Sequence, residues 1–130
     1  MKIDAKIVEE NTDKRNQQEQ LWNQLKSTNT LMQIQQYIQN ENELRGFTEQ
    51  PIQDTMLLLT EEVGELAKAI RKQSTDMRID ANKSQNYDTI QSEVADVFYV
   101  LCSICNKVNV DLFQAIKEKE KENVKRTWTK

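Results

Sequence analysis

Histidine is absent from all 130 residues, and that gap closes off several chemistries at once. The di-iron bundles built on Glu-x-x-His pairs need imidazole ligands, and a zinc site of the usual kind is weakened without them. Cysteine is nearly as scarce, with Cys102 and Cys105 the two present. Three residues apart in an apolar helical run, they share one face, where a disulfide between neighbouring turns is geometrically poor and a lone Cys-x-x-Cys falls short of a metal site. They read as small core residues. Two glycines and one proline supply few turns or breaks, while Gln, Glu, Lys, Leu and Ile are plentiful, so a mainly helical chain is expected. No apolar run approaches the ~20 residues of a membrane span, and the first ten residues contain no apolar core of a signal peptide. An excess of positive charge is missing too: 18 basic against 21 acidic residues give a formal −3, which offers no footprint for nucleic acid. What remains is one modest helical domain, expected in a reducing cytoplasm and small enough that a large pocket would call for a second subunit.

Against that background the acidic residues stand out by position. Leu57-Leu58-Leu59-Thr60-Glu61-Glu62-Val63-Gly64-Glu65-Leu66-Ala67 and Glu93-Val94-Ala95-Asp96-Val97-Phe98-Tyr99-Val100-Leu101 place carboxylates inside the two most apolar stretches. Desolvating an unpaired carboxylate is expensive. Residues three apart lie on one helix face, so Glu62 and Glu65 point together, as do Glu93 and Asp96. Two such helices packed face to face would gather four carboxylates, which cannot all stay ionised unless a cation neutralises them or their pKa values climb. Hard oxygen ligands without His or Cys select Mg²⁺ or Mn²⁺. A solvated charge face explains Glu118, Lys119, Glu120, Lys121 and Glu122 well, but not Glu93 and Asp96 among Val94, Val97, Phe98 and Val100.

Glu62-x-x-Glu65, a spacer of residues 66 to 92, then Glu93-x-x-Asp96 resembles the signature of the MazG-like nucleotide pyrophosphohydrolases. The likeness extends through Asn106-Lys107-Val108-Asn109-Val110-Asp111-Leu112 to Lys119, Asn123 and Arg126, covering roughly residues 30 to 128. It implies an all-α, four-helix bundle fold, assembled as a homodimer or homotetramer. It also implies a nucleoside triphosphate substrate hydrolysed to monophosphate and pyrophosphate, with Mg²⁺ (or Mn²⁺) held by Glu62, Glu65, Glu93 and Asp96. Glu61 flanks this set as a ligand, a base that orients water, or a supporting group. Lys119, Asn123 and Arg126 would contact the substrate, Lys and Arg at the phosphates. Spacing alone serves equally a basic helix end complementing the macrodipole. Phe47 would lie near the base, although by its residues alone it reads as a staple closing a loop. Where many members carry Tyr-Pro after the Arg, this chain has Thr127-Trp128. Trp22, Phe47, Tyr87 and Trp128 are the aromatics available for stacking. Phosphoribosyl-ATP pyrophosphohydrolase, of the same superfamily, is the nearest enzymatic alternative, and a non-catalytic helical oligomer is the alternative from another class.

Along the chain, residues 1 to 28 form an extension, with Ile3, Ile7 and Val8 at one end, Leu21, Trp22 and Leu25 at the other, and a polar middle. It is either an ordered helix that packs on a neighbouring subunit, with Trp22 its docking point, or a frayed leader. Residues 29 to 130 are the catalytic domain of this reading. A helix from about Thr30 to Glu43 ends near Gly46, and Pro51 opens the next, to about Gln73, with Leu59, Val63, Leu66 and Ile70 as its core stripe. Gly64 inside it costs roughly 1 kcal/mol against Ala and marks a close approach. Residues 74 to 88 read as a loop in which Lys83 is solvated or reaches a phosphate. A nearly all-apolar helix from Thr89 to Asn109 follows, and Asp111 with Gln114 caps a last helix running to about Trp128.

Overall fold

A computed structural model of the chain describes residues 5–130, so Ile3 lies outside the described residues. The fold is all-α: α1 (Ala5–Gln24), α2 (Leu31–Arg45), α3 (Ile52–Ser74), a 3-10 helix (Ala81–Asn86), α4 (Ile90–Lys107) and α5 (Leu112–Asn123). Two compact units divide it, one of the described residues up to Glu49 with Cys105–Lys130, the other of Gln50–Ile104.

In the first unit α2 packs against both α1 and α5. Its start is set by a capping box: Thr30 Oγ1 accepts from the Gln33 amide at 3.1 Å, and Gln33 Oε1 accepts from the Thr30 amide at 2.8 Å. Gly46, at φ +80°, ends it in the left-handed conformation that glycine adopts without strain, with its N–H on the Asn42 carbonyl. Ile38 and Cys105 are buried here, and so is Gln35, which pairs with the half-buried Asn106. Gln35 donates to the Val110 carbonyl (3.0 Å) and to Asn106 Oδ1 (3.3 Å), and its own Oε1 accepts from the Leu112 amide (2.8 Å). Asn106 returns a bond to the Gln35 carbonyl at 3.0 Å. Buried amides matched in this way fix the turn into α5 instead of destabilising it. Asp111 caps α5 from its side chain to the Gln114 amide (3.1 Å), as the sequence suggests.

α1 is helical, buries no residue within the chain and leaves Trp22 64% exposed. A polar contact joins it to α2, from Arg45 Nε to Gln18 Oε1 at 2.9 Å. One expectation for this unit needs correcting: the last helix stops at Asn123, not near Trp128, with the Val124 amide folding back on the Glu120 and Glu122 carbonyls.

In the second unit Pro51 precedes the first helical residue of α3, and its carbonyl accepts from the Asp54 and Thr55 amides. Ala69 and Cys102 are the buried apolar residues of this unit, and both cysteines of the chain are free thiols in covered positions, as expected. The predicted core stripe of α3 is only half covered. Leu59 and Leu66 are half-buried, whereas Val63 is 49% and Ile70 41% exposed, joined in the open by Met56, Leu57 and, on α4, Val94. Gly64 meets no neighbour where a Cβ would stand, so within the chain it marks no close approach.

Candidate metal centre

α3 and α4 bring three carboxylates together. One oxygen each of Glu62, Glu93 and Asp96 can be chosen so that all lie within 4.8 Å of one another. Glu93 sits in the first turn of α4, where the free amides of a helix start favour negative charge. It is 2% exposed, and its Oε2 is buried without a hydrogen-bond partner. Glu62 is half-buried, and Asp96 is open to solvent.

The electrostatics follow from this crowding. Burial pushes the Glu93 carboxyl up from the ordinary glutamate range, helped by a side-chain hydrogen bond with Asp88 and by the charges of Asp96, Asp88 and Glu62. Burial likewise raises Glu62, with Asp96, Glu65 and Glu61 adding to it and a hydrogen bond from Glu93 working the other way. A divalent ion fits this donor set. It would meet the unused Glu93 oxygen, offset the mutual repulsion, and find only hard oxygen ligands, as Mg²⁺, Mn²⁺ and Ca²⁺ prefer.

The remaining candidates fall elsewhere. Glu65, expected beside Glu62, stays outside the three-carboxylate group and pairs with Lys68 at 3.5 Å. Glu61 is exposed. Lys119 pairs with Glu122 at 3.1 Å and Asn123 donates to Glu120 Oε1 at 2.9 Å, both within α5. Arg126 lies beyond the end of that helix, so the three do not share one helical face. Phe47 is 42% and Trp128 75% exposed, and Phe47 belongs to a loop whose carbonyls at 47 and 48 accept from Lys107 Nζ at 3.2 Å each. Asp88 is a member of the acidic surroundings that sequence reasoning missed. Its place directly before Thr89, which caps α4, was the available signal.

With this geometry in view, a family model described as the MazG nucleotide pyrophosphohydrolase domain matches residues 50–127. The chain belongs to the MazG nucleotide pyrophosphohydrolase family. The match runs from Gln50, just before α3, through Thr127, so both carboxylate pairs, Asp88, Lys119, Asn123 and Arg126 lie inside the MazG domain, while α1, α2, Phe47 and Trp128 lie outside the matched residues. Comparison with curated proteins and with solved structures gives no match. Among the described residues, no helix is long and apolar enough to cross a membrane.

Proposed function

We propose that this MazG chain hydrolyses a nucleoside or deoxynucleoside triphosphate to the monophosphate and pyrophosphate in the cytoplasm, cleansing or balancing the nucleotide pool with Mg²⁺ as its ion and Mn²⁺ as a substitute. The observation that carries the reading is the unmatched buried oxygen of Glu93, set among Glu62 and Asp96 within 4.8 Å. Glu62, Glu93 and Asp96 would hold the ion, with Glu65 recruited from its exposed pair with Lys68, which an exposed contact of this kind resists by no more than about 1 kcal/mol. Bound there, a divalent ion supplies charge neutralisation to a polyphosphate and lowers the pKa of water. No side chain is required as nucleophile: the residues orient the phosphates, and water attacks the α-phosphorus as pyrophosphate leaves. Glu61, exposed beside Glu62, would act as a ligand, as the base that orders that water, or as a supporting group. Lys119, Asn123 and Arg126 are the substrate contacts of this reading, with Phe47 and Trp128 near the base. The domain is taken to begin at residue 29, after the α1 extension.

A second reading concerns assembly. Met56, Leu57, Val63 and Ile70 on α3 and Val94 on α4 leave apolar surface open, and a homodimer or homotetramer covers such surface. Pyrophosphate release from a panel of nucleoside triphosphates and phosphoribosyl-ATP, with Mg²⁺ and again with EDTA, tests the function. Release that needs the metal supports it, preference for phosphoribosyl-ATP moves it to the sister activity, and no release from any substrate leaves a helical oligomer.

A further inference from the structure

The closing turns of α3 crowd three cations onto one aromatic ring. Lys68 Nζ lies 4.9 Å, Lys72 Nζ 5.6 Å and the Arg71 guanidinium carbon 6.0 Å from the centroid of Tyr87. Arg71 Nη2 donates to the Tyr87 hydroxyl at 2.6 Å and Lys72 Nζ to the Ser84 carbonyl at 2.6 Å, so both rest on neutral oxygens. Lys68 meets a carboxylate, that of Glu65 at 3.5 Å, and both of those side chains are half-exposed. Cations do gather at a helix C-terminus and over aromatic faces. Like charges three or four residues apart on a helix nevertheless repel, and among the described residues these three share one counter-charge. That counter-charge belongs to the carboxylate stripe. Glu65 stands one turn beyond Glu62, and Lys68 one turn further, about 9 Å along the axis from Glu62.

We propose that Lys68, backed by Arg71 and Lys72, receives the two distal phosphates of the substrate, the pair that leaves as pyrophosphate: Glu65 and Lys68 part, Glu65 turning to the ion and Lys68 to the phosphate oxygens. The inference rests on the proposed function and adds a contact to those of Lys119, Asn123 and Arg126. An ammonium beside the carboxylates suits this task, because a divalent ion offsets only part of the charge of a phosphate chain and a lysine acts on the remainder as a compact point charge. The exchange needs only side-chain rotation, since the contact it breaks is an exposed one that holds weakly. Arg71 and Lys72 stay on Tyr87 and keep the surrounding potential positive. A Glu65–Lys68 pair that merely tied two turns of α3 together would affect stability and leave phosphate binding alone.

Two calorimetric titrations of the full chain test this, one with inorganic pyrophosphate in Mg²⁺ and one with Mn²⁺ alone. Lys68→Gln should weaken pyrophosphate binding by about tenfold, the loss of one hydrogen bond to a charged group. It should bind Mn²⁺ at least as tightly as wild type, because Glu65 is released. Lys68→Arg keeps the charge and should recover most of the pyrophosphate affinity. Lys72→Gln, further from the carboxylates, should lose less than Lys68→Gln. Wild-type pyrophosphate affinity in Lys68→Gln, or an equal fall in its Mn²⁺ and pyrophosphate affinities, would overturn the role, even if the melting temperature changes. Asp96→Asn is the control. If it binds Mn²⁺ like wild type, the metal-centre reading itself fails; if it loses the ion while Lys68→Gln keeps its hold on pyrophosphate, only the role of Lys68 does.

Discussion

Two buried glutamates, one in each unit, look alike by exposure and differ in every neighbour. Glu41 in α2 is 1% exposed and Glu93 in α4 2%, and each keeps one buried oxygen without a hydrogen-bond partner. Burial raises both carboxyls from the usual range. Glu41, however, meets Arg45 at 2.8 Å, one turn along the same helix, and Arg45 is in turn steadied by Gln18 of α1. Glu93 is surrounded by Glu62, Asp88 and Asp96, all acids. Among the described residues, a counter-charge stands beside the first, whereas the charges that act on the second are all acidic. An inaccessible carboxylate therefore signals a ligand only when its surroundings omit the cation a structural pair would include.

The sharpest way to break that contrast is to neutralise each glutamate in turn. Glu93→Gln should cut pyrophosphate release by more than about 100-fold, because removing a ligand costs at least what removing its supporting partner does. It should also abolish the rise in melting temperature that Mg²⁺ produces, a rise worth about 2.7 kcal/mol at one hundred times the dissociation constant. Glu41→Gln should keep both the turnover and the Mg²⁺ shift. Equal losses in the two variants would erase the distinction. Activity assays and melts with and without EDTA read both.

A smaller effect separates the two by pH. Because Glu62 and Glu93 are raised, the folded chain binds more protons than the unfolded one above the ordinary glutamate range. Stability in EDTA should fall as pH rises through their raised values. Mg²⁺, which needs ionised carboxylates, should protect increasingly over the same interval. Glu41 contributes a slope of the same sign that Mg²⁺ leaves untouched. Melting curves from about pH 5 to 8 should accordingly flatten in Glu93→Gln with EDTA present, and a slope identical to wild type would contradict the assignment. The smallest effect lies on the open face of α3. Gly64→Ala should add about 1 kcal/mol of helix stability to the protomer, since nothing within 4 Å opposes the new methyl group. A drop in molecular mass by light scattering for this variant would show that a second copy packs there.

How far the site could be read beforehand follows the same physics. Helix limits set by local chemistry were legible: Gly46 at the end of α2 and Asp111 at the start of α5 act through their own backbone and side chain. Glu62, Glu93 and Asp96 were expected together from helical spacing and, above all, from the family likeness, and one oxygen of each lies within 4.8 Å of the others. Glu41 was not, since its polar surroundings, Gln39-Asn40-Glu41-Asn42-Glu43, give no hint of a buried position on the helix against which α1 packs. The open side of α3 misled for a related reason, as a stripe of Val63 and Ile70 announces burial without saying which molecule provides it. The straying of Glu65 toward Lys68 reflects an i,i+3 pair that spacing permits as readily as convergence on a metal.

One consequence concerns the short stop of α5. Residues 125 to 130 follow a helix already finished at Asn123, and Trp128 is held by no surrounding core. Whatever this tail touches, it is appended to a completed scaffold. Under the proposed function, in which Arg126 and Trp128 meet the substrate, its wording, Lys125-Arg126-Thr127-Trp128, can be rewritten with no helix to rebuild, so selectivity and folding would change independently.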